Sequence, residues 1–441
     1  MFGLPTTATA PFCPSEVRGS VRVPTDAPTW QRWLRIAGPG LLVAVGYMDP
    51  GNWATDIEAG SRFGSALLWV VLASSLAAML LQTLSLRLGL VSGMDLARAC
   101  RARYGPRVNG ALWIMAELSI VATDVAEVLG TALALHLLFG VTLVAGVGLT
   151  ALDTVIVLGL KGQGFRQIEA IVLGLIATIG ACFLVQLALV GPDWPAVAAG
   201  FAPGPLVAHD PQALTLAVGI LGATVMPHNL YLHSSIVQTR RVADTPADLA
   251  DAVRLSSWDA VISLTLALGV NAAILVLAAT AFNGNGLREV ADIEQAHRLL
   301  EGVVGSAAAP LLFGVALLAS GQSSTLTGTI AGQVIMEGFL QLKIPCWQRR
   351  LATRALALVP AWLGLLWFGE GGVGKLLVAS QVVLSLQLPF AIWPLLRLTG
   401  DRKVMGAFAT PAWMAAAAWA LLALIVLANT ALLADLAGWL G

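Results

Sequence analysis

The chain has 441 residues, of which 57% are hydrophobic and only 11% charged, and its formal net charge is zero. A soluble protein carries about 25% charged residues, so this composition excludes an ordinary soluble domain. Together with a mean hydropathy of +0.81, it predicts an all-α polytopic membrane protein whose surroundings are a lipid bilayer. The balanced charge also gives no reason to expect a nucleic-acid partner.

The first 35 residues precede the apolar part of the chain and contain five prolines. They include no apolar run of the kind found in a signal peptide. Their composition predicts a disordered tail over residues 1–35.

Eleven apolar segments follow the tail, each long enough to cross a membrane, which takes roughly 20 residues. They lie near 36–60, 66–90, 109–139, 142–160, 168–190, 213–238, 255–281, 306–338, 350–368, 375–398 and 408–436. If the N-terminus is cytoplasmic, every lysine and arginine lies on the cytoplasmic side except Arg62, Arg288, Arg298 and Lys375. This asymmetry predicts a cytoplasmic N-terminus and an extracytoplasmic C-terminus.

Two of these segments are interrupted near their middle by residues that disfavour a helix in lipid. The first contains Asp49-Pro50-Gly51-Asn52, and the sixth contains Met226-Pro227-His228-Asn229. Pro50 and Pro227 lack an N–H and Gly51 adds backbone freedom, so both helices should break there. A simple proline kink is the alternative, but paired interruptions in the first and sixth segments are typical of the two halves of an inverted-repeat transporter.

The residues at the two breaks suit a soft divalent cation. Asp49 offers an anionic oxygen, Asn52 an amide oxygen and Met226 a thioether, and freed carbonyls near Ala223 and Tyr47 could complete the shell. Oxygen-only sites suit Mg²⁺ and Ca²⁺, whereas a sulfur ligand favours transition metals such as Mn²⁺ or Fe²⁺. Met226 as core filler is the alternative, since that is the usual role of a buried methionine.

The third segment carries carboxylates in the membrane, namely Glu117, Asp124 and Glu127. Intramembrane carboxylates are costly and often mark ion or proton routes. Their expected partners are the arginines at the start of the ninth segment, Arg349, Arg350 and Arg354. A proton relay is favoured for Asp124 and Glu127, and a static salt bridge is the alternative.

Three further polar residues in the spans are candidates for a role in transport. His228 belongs to the second break and could serve in proton transfer or gating, or be a hydrogen-bonded core histidine. His233, one and a half turns further on, is the weaker candidate for the same role. Gln381 lies mid-span in the tenth segment and could line the pathway.

The two tetrads, together with "AELSIVATDVAE" in the third segment and "GATVMPHNLYLHS" in the sixth, resemble the Nramp family of divalent metal transporters. The resemblance runs from about Ile36 to the C-terminus. It implies a LeuT-type fold with two inverted five-helix repeats, at 36–190 and 213–398, and an eleventh transmembrane helix at 408–436. It also implies proton-coupled import of Mn²⁺ or Fe²⁺, with Cd²⁺, Co²⁺ and Zn²⁺ also accepted, across the cell (inner) membrane of a bacterium.

The resemblance assigns roles to individual residues. The implied metal ligands are Asp49, Asn52, Met226 and the carbonyl of Ala223, and Gln381 would approach the ion when the outer side closes. The implied proton route consists of Asp49, His228, Asp124, Glu127, Arg349 and Arg350. The metal and the proton are substrates, so no permanent cofactor is expected, and a monomer is compatible with the sequence.

Two other functions remain open from the residues alone. Broken helices also suit a LeuT-type transporter of an amino acid or amine. A membrane-embedded enzyme is less well supported, because the sequence contains neither H-E-x-x-H nor G-x-S-x-G. We therefore predict that the chain is not an enzyme.

Overall fold

The computed structural model describes residues 17–159, 165–243, 245–290, 292–340 and 346–437. Almost all of these residues are helical, and the one sheet in this part of the chain is a parallel pair of two-residue strands, β1 (Val21–Arg22) and β2 (Arg240–Arg241). The helices of the first half are α1 (Thr29–Ile36), α2 (Pro39–Gly46), α3 (Pro50–Phe63), α4 (Leu68–Ser92), α5 (Leu96–Arg103), α6 (Pro106–Phe139), α7 (Leu143–Gly159) and α8 (Phe165–Val190).

The second half begins with short helices outside the spans and continues with long ones. They are α9 (Trp194–Ala199), α10 (Leu206–His209), α11 (Pro211–Thr224), α12 (Pro227–Ile236), α13 (Pro246–Ala281), α14 (Ile293–Val304), α15 (Ala308–Leu340), α16 (Cys346–Phe368), α17 (Val373–Gly400), α18 (Arg402–Met405) and α19 (Ala412–Leu436). Single 3₁₀ turns occur at Gly64–Leu67, Val237–Thr239, Asn283–Asn285, Glu370–Gly372 and Gly406–Phe408.

Within the described residues, eight helical stretches are long and apolar enough to cross a membrane. Each of the eleven predicted segments overlaps a helix or a pair of helices. The segments predicted near 142–160 and 350–368 correspond to α7 and α16, whose described apolar stretches are shorter, at Leu143–Leu152 and Leu358–Phe368. The prediction of an all-helical membrane protein is therefore confirmed.

The first and sixth segments are broken at the predicted positions. The helix α2 ends at Gly46 and α3 begins at Pro50, while α11 ends at Thr224 and α12 begins at Pro227. In both cases proline is the first residue of the new helix, where its missing N–H costs nothing. The proline therefore ends one helix and starts the next, and a short non-helical stretch lies between them.

The broken helices lie in the centre of the bundle. The helix α3 packs against α13, α11, α17 and α6, and α6 in turn packs against α15. Two glycines allow close approaches between helices. A side chain at Gly130 of α6 would overlap Pro50, and one at Gly222 of α11 would overlap the backbone carbonyl of Gln381 in α17. These contacts fix the position of both breaks relative to their neighbours.

The prediction of a disordered tail up to residue 35 is wrong for the described part of that segment. Strand β1 pairs with β2, and α1 is tied to α13 by ion pairs from Arg32 to Asp248 (3.2 Å) and Asp251 (3.1 Å). Val23 and Ile36 are buried against α13. The ordering arises from partners more than 200 residues away, which local composition cannot reveal. Residues 1–16 lie outside the described part.

Candidate metal site

The first break is organised by the side chain of Asp49. Its Oδ1 accepts hydrogen bonds from the backbone N–H of Asn52 (2.8 Å) and from the Asn52 side-chain nitrogen Nδ2 (2.7 Å). The first bond is an N-terminal cap of α3 and satisfies one of the free donors of that helix. The second oxygen, Oδ2, is buried and has no hydrogen-bond partner in the described structure. One oxygen of the carboxylate thus caps the helix, and the other is available to bind a ligand.

The second break leaves the carbonyl of Ala223 without its helical hydrogen bond, and the sequence explains why. In a continuous helix the carbonyl of Ala223 would accept a hydrogen bond from the N–H of residue 227, four positions on. That residue is Pro227, which has no N–H. The carbonyl instead accepts a hydrogen bond from Nδ2 of Asn52 at 3.2 Å.

Asn52 therefore joins the two breaks. Its side-chain nitrogen lies between an oxygen of Asp49 and the carbonyl oxygen of Ala223, at 2.7 and 3.2 Å. Its own Oδ1 accepts a weaker bond from Asn271 Nδ2 of α13, at 3.4 Å. All of these groups are buried. Oxygen atoms from two helix ends thus converge on a single small volume in the middle of the bundle.

Met226 lies three residues after Ala223, in the short stretch between α11 and α12, and is completely buried. Its sulfur accepts a long hydrogen bond from Asn229 Nδ2 at 3.7 Å. Asn229 also lies against Gly46, the last residue of α2. The thioether thus belongs to a cluster that contacts both breaks.

Both polar groups of Tyr47, the weaker candidate ligand, form hydrogen bonds with neighbouring helices. Its carbonyl accepts a hydrogen bond from Asn271 Nδ2 (2.8 Å), and its hydroxyl accepts one from Gln82 Nε2 (2.8 Å). The next carbonyl, that of Met48, accepts bonds from Ser320 Oγ (2.5 Å) and Trp53 Nε1 (3.2 Å). The first break is thereby held by α4, α13 and α15.

Gln381 of α17 is buried against the first break. A side chain at Gly51 would overlap its amide nitrogen, so only glycine allows this approach. The nitrogen donates to Ser380 Oγ at 3.0 Å, and its oxygen Oε1 is buried without a hydrogen-bond partner in the described structure. The same holds for the hydroxyl oxygen of Thr224, the last residue of α11. Buried polar atoms are normally hydrogen-bonded, so these two and Asp49 Oδ2 need an explanation.

The described residues contain no group of three or more His, Cys, Asp or Glu side chains able to hold a metal. The donors at the breaks are of a different kind: one carboxylate, one amide, one carbonyl and one thioether. A site with a single anionic ligand binds a divalent cation less strongly than a cage of carboxylates. This suits a protein that must release what it binds.

Sequence reasoning missed one carboxylate near the site. Asp56 of α3 is buried, its Oδ2 has no hydrogen-bond partner in the described structure, and it lies seven residues after Asp49. A spacing of seven places two residues on nearly the same helix face, about 10 Å apart. The spacing of seven residues from Asp49 was the sequence feature that could have identified Asp56.

The carboxylates predicted for proton transfer lie on α6. Asp124 and Glu127 are buried, whereas Glu117 is only partly so. Glu127 lies against Gly328 of α15, where a side chain would overlap the carboxylate. The side chains of Arg349, Arg350 and Arg354, their predicted partners, lie outside the described part of the structure.

Both histidines of α12 are buried and hydrogen-bonded to neighbouring helices. His228 Nδ1 bonds with Thr123 Oγ1 of α6 at 3.1 Å, and His233 Nδ1 bonds with Gln82 Oε1 of α4 at 2.9 Å. Thr123 directly precedes Asp124 in α6. His228 thereby contacts α6, the helix that carries the two carboxylates, whereas His233 contacts α4.

A buried ionic cluster ties down the start of α2. Arg240 pairs with Glu169 of α8 (2.7 Å) and donates to the carbonyls of Ile36 (3.0 Å) and Ala37 (2.6 Å). The carboxylate of Asp259 accepts hydrogen bonds from the backbone N–H of Gly38 and of Gly40. We call these three side chains, Arg240, Glu169 and Asp259, the inner clamp. Nothing in the sequence alone indicated that they meet.

Two helices broken at a shared buried site, inside a bundle of long apolar helices, define a membrane transporter. The sequence model of the family described as natural resistance-associated macrophage protein-like (Nramp) matches residues 40–435. The chain therefore belongs to the Nramp family, and the predicted family is confirmed.

Relatives and solved structures agree with this assignment. The chain is 65% identical to a divalent metal cation transporter, MntH, of Ralstonia nicotianae, over 97% of this chain and 96% of the relative. It is 64% identical to MntH 1 of Pseudomonas aeruginosa, over 98% of each. A crystal structure of the Eremococcus coleocola manganese transporter has a TM-score of 0.88 at 41% identity, covering 97% of this chain and 92% of that one.

A more distant solved structure shows the fold alone. Mhp1, a nucleobase-cation symporter in a closed conformation, has a TM-score of 0.59 at 14% identity and covers 98% of this chain and 96% of its own. The LeuT-type fold implied by the resemblance to the Nramp family is confirmed. The relatives are named as transporters, in agreement with the prediction that this chain is not an enzyme.

Proposed function

We propose that this protein imports divalent transition metal ions, with Mn²⁺ and Fe²⁺ as the main substrates and Cd²⁺, Co²⁺ and Zn²⁺ as further ones. One observation carries the proposal: Asn52 Nδ2 lies within hydrogen-bond distance of both Asp49 Oδ1 and the Ala223 carbonyl, while Asp49 Oδ2 has no partner within the described residues. Rotation of the Asn52 side-chain amide by about 180° would exchange its nitrogen Nδ2 for its oxygen Oδ1 at this position. Three oxygens would then converge, which is the arrangement a cation needs.

The thioether selects among cations. Ca²⁺ and Mg²⁺ bind oxygen almost exclusively, whereas transition metals accept a soft sulfur ligand. Met226 sits three residues beyond Ala223 in the same break, so an ion held by the Ala223 carbonyl would be within reach of the sulfur. The metal ligands in this proposal are Asp49, Asn52, Ala223 and Met226, and Gln381 joins them when the outer side closes. Tyr47, whose carbonyl is bonded to Asn271, has a supporting role.

We further propose that metal import is coupled to proton import. The metal site carries one negative charge, so a divalent ion leaves an uncompensated positive charge in the membrane. A route from Asp49 through His228 to Asp124 and Glu127, and on to Arg349 and Arg350, would let a proton leave as the metal arrives. The hydrogen bond between His228 and Thr123 supports this route, because it ties the histidine to the helix that carries Asp124 and Glu127. Glu117 and His233 are weaker members.

The proposed transport cycle uses alternating access across the inner membrane of a bacterium, with a cytoplasmic N-terminus, by the distribution of lysine and arginine. Residues 36–190 and 213–398 would form the two inverted repeats, and 408–436 an additional helix. In this orientation the inner clamp lies at the cytoplasmic end of α2. Breaking it would release α2 and open the metal site to the cytoplasm.

The test is metal uptake into liposomes that contain a metal-sensitive dye. Removal of the one anionic ligand in Asp49→Ala should lower Mn²⁺ uptake by at least about tenfold, since a charged hydrogen-bonding partner contributes about 1.5–3 kcal/mol. The exposed Asp193→Ala is the control and should transport like the unmodified protein. Equal uptake by Asp49→Ala would refute the site. Competition of Mn²⁺ uptake by amino acids would instead favour the amino-acid or amine transporter.

A further inference from the structure

Two cavities outside the candidate metal site are lined by residues of α6, α17 and α19 and adjoin at Trp393. One has a volume of about 560 Å³ and is lined by apolar side chains, among them Val108, Leu112, Phe390 and Leu422. The other has a volume of about 460 Å³ and is lined by charged and aromatic side chains. Trp393 of α17 lines both. The two cavities therefore form one groove with an apolar part and a polar part.

The polar part carries excess positive charge. Arg103 and Arg397 line it, and its one acidic residue is Asp401. One oxygen of Asp401 caps the backbone N–H of Lys403 (2.9 Å), and the other is 3.6 Å from Arg103. Arg397 is exposed and makes no hydrogen bond or ion pair with any residue the structure describes. Both guanidinium groups lie near the hydroxyl of Tyr104 and interact with it electrostatically.

The two parts differ in depth by about the distance that separates a lipid headgroup from its acyl chain. Arg397 and Phe390 are seven residues apart on α17, which is about 10 Å along the helix. Likewise, Arg103 precedes the start of α6 at Pro106, whereas Leu112 lies in its second turn. Trp393 stacks on Tyr104 between the two levels, with ring centroids 5.7 Å apart and planes at 25°. Tryptophan and tyrosine at such a level are typical of a membrane–water interface.

We propose that this groove binds one anionic phospholipid, with its phosphate between Arg103 and Arg397 and an acyl chain along Leu112 and Phe390. Basic pockets between transmembrane helices on the cytoplasmic side bind anionic headgroups in this way. The groove belongs to the cytoplasmic leaflet in the orientation proposed above, but binding itself does not depend on that orientation. A zwitterionic headgroup carries the same phosphate but adds an ammonium group, so it would leave the excess positive charge of the polar part uncompensated.

Native mass spectrometry of the detergent-purified protein, given equal amounts of phosphatidylglycerol and phosphatidylcholine, tests the polar part. The protein should retain one phosphatidylglycerol in preference to phosphatidylcholine. Each of Arg103→Gln and Arg397→Gln should weaken this binding about fivefold, the usual contribution of one basic residue near an anionic headgroup. Arg402→Gln, at an exposed position outside the groove, is the matched control and should bind like the unmodified protein.

The apolar part is tested by filling it. Ala111→Trp, which places a large side chain in the apolar cavity, should abolish lipid retention, and Ala177→Trp at an exposed position of α8 should not. Size-exclusion elution and Mn²⁺ uptake of every variant establish that it is folded. Equal retention of phosphatidylcholine, or equal losses in Arg397→Gln and Arg402→Gln, would overturn the proposal. The proposal would also be overturned if inorganic phosphate displaced the lipid and still bound to the Ala111→Trp variant. The same holds if the protein formed a dimer that Ala111→Trp dissociated.

Discussion

A methyl group added at Gly130 should disrupt the metal site from a neighbouring helix. The Cβ of an alanine there would lie 2.1 Å from Pro50 Cγ and 2.2 Å from Pro50 Cβ. Non-bonded carbon atoms pack at about 3.5–4.0 Å, so α6 and Pro50 must separate by more than about 1 Å. Pro50 is adjacent to Asp49, and metal–ligand distances tolerate changes of only about 0.2 Å.

The expected magnitude follows from the cost of overpacking. Forcing an extra methyl group into a packed interior costs about 1–3 kcal/mol. If α3 yields, that cost appears as lost metal affinity, and the apparent affinity for Mn²⁺ should fall between about fivefold and about a hundredfold. The measurement is the initial rate of Mn²⁺ uptake into dye-loaded liposomes as a function of Mn²⁺ concentration.

Gly110→Ala is a matched control on the same helix. A Cβ at Gly110 meets nothing within 4 Å, so the same substitution should leave uptake unchanged and raise the stability of α6 by up to about 1 kcal/mol. If Gly130→Ala showed the same Mn²⁺ dependence as Gly110→Ala, the contact with Pro50 would not position the site, and the reasoning would be wrong.

Three further predictions concern selectivity, coupling and gating. Met226→Ala should admit Ca²⁺ and Mg²⁺ while reducing Mn²⁺ uptake less, because the soft ligand is lost; continued exclusion of Ca²⁺ in the uptake assay would contradict this. Asp124→Asn should weaken the acidification of the liposome interior that accompanies Mn²⁺ uptake, as read by an enclosed pH dye, and undiminished acidification would move the relay elsewhere. Arg240→Gln should loosen the inner clamp. A cysteine introduced at Val45, which is buried, should then react with a maleimide several times faster than the same cysteine in a protein that keeps Arg240. An equal rate would show that the clamp does not hold α2.

The positions of the two breaks could be predicted because proline acts locally. Pro50 and Pro227 remove hydrogen bonds from their own helices whatever surrounds them. The identity of the donors was equally visible, since a carboxylate, an amide and a thioether beside freed carbonyls restrict the chemistry of the site. Sequence analysis therefore predicted the positions of both breaks and the family correctly, and the metal ligands stay a prediction.

The supporting residues could not be predicted, because their roles depend on partners distant in the sequence. Asn271 of α13 forms interhelical hydrogen bonds, and its partners are Tyr47 and Asn52 at the first break. The inner clamp joins Arg240 to Glu169 of α8, and the ordered segment before α2 joins Arg32 to α13. Each of these contacts requires knowing which helices are neighbours.

The position of Asn52 has a consequence for the return of the empty carrier. A transporter must change conformation without cargo in every cycle, and doing so with two bare oxygens facing each other in the membrane would be costly. The amide nitrogen between Asp49 and Ala223 supplies the positive end of a dipole where the ion would supply a full charge. In the proposed site, one side chain would thus act as a ligand when turned one way and as a substitute for the ion when turned the other, and the unloaded site would have its own internal counter-charge.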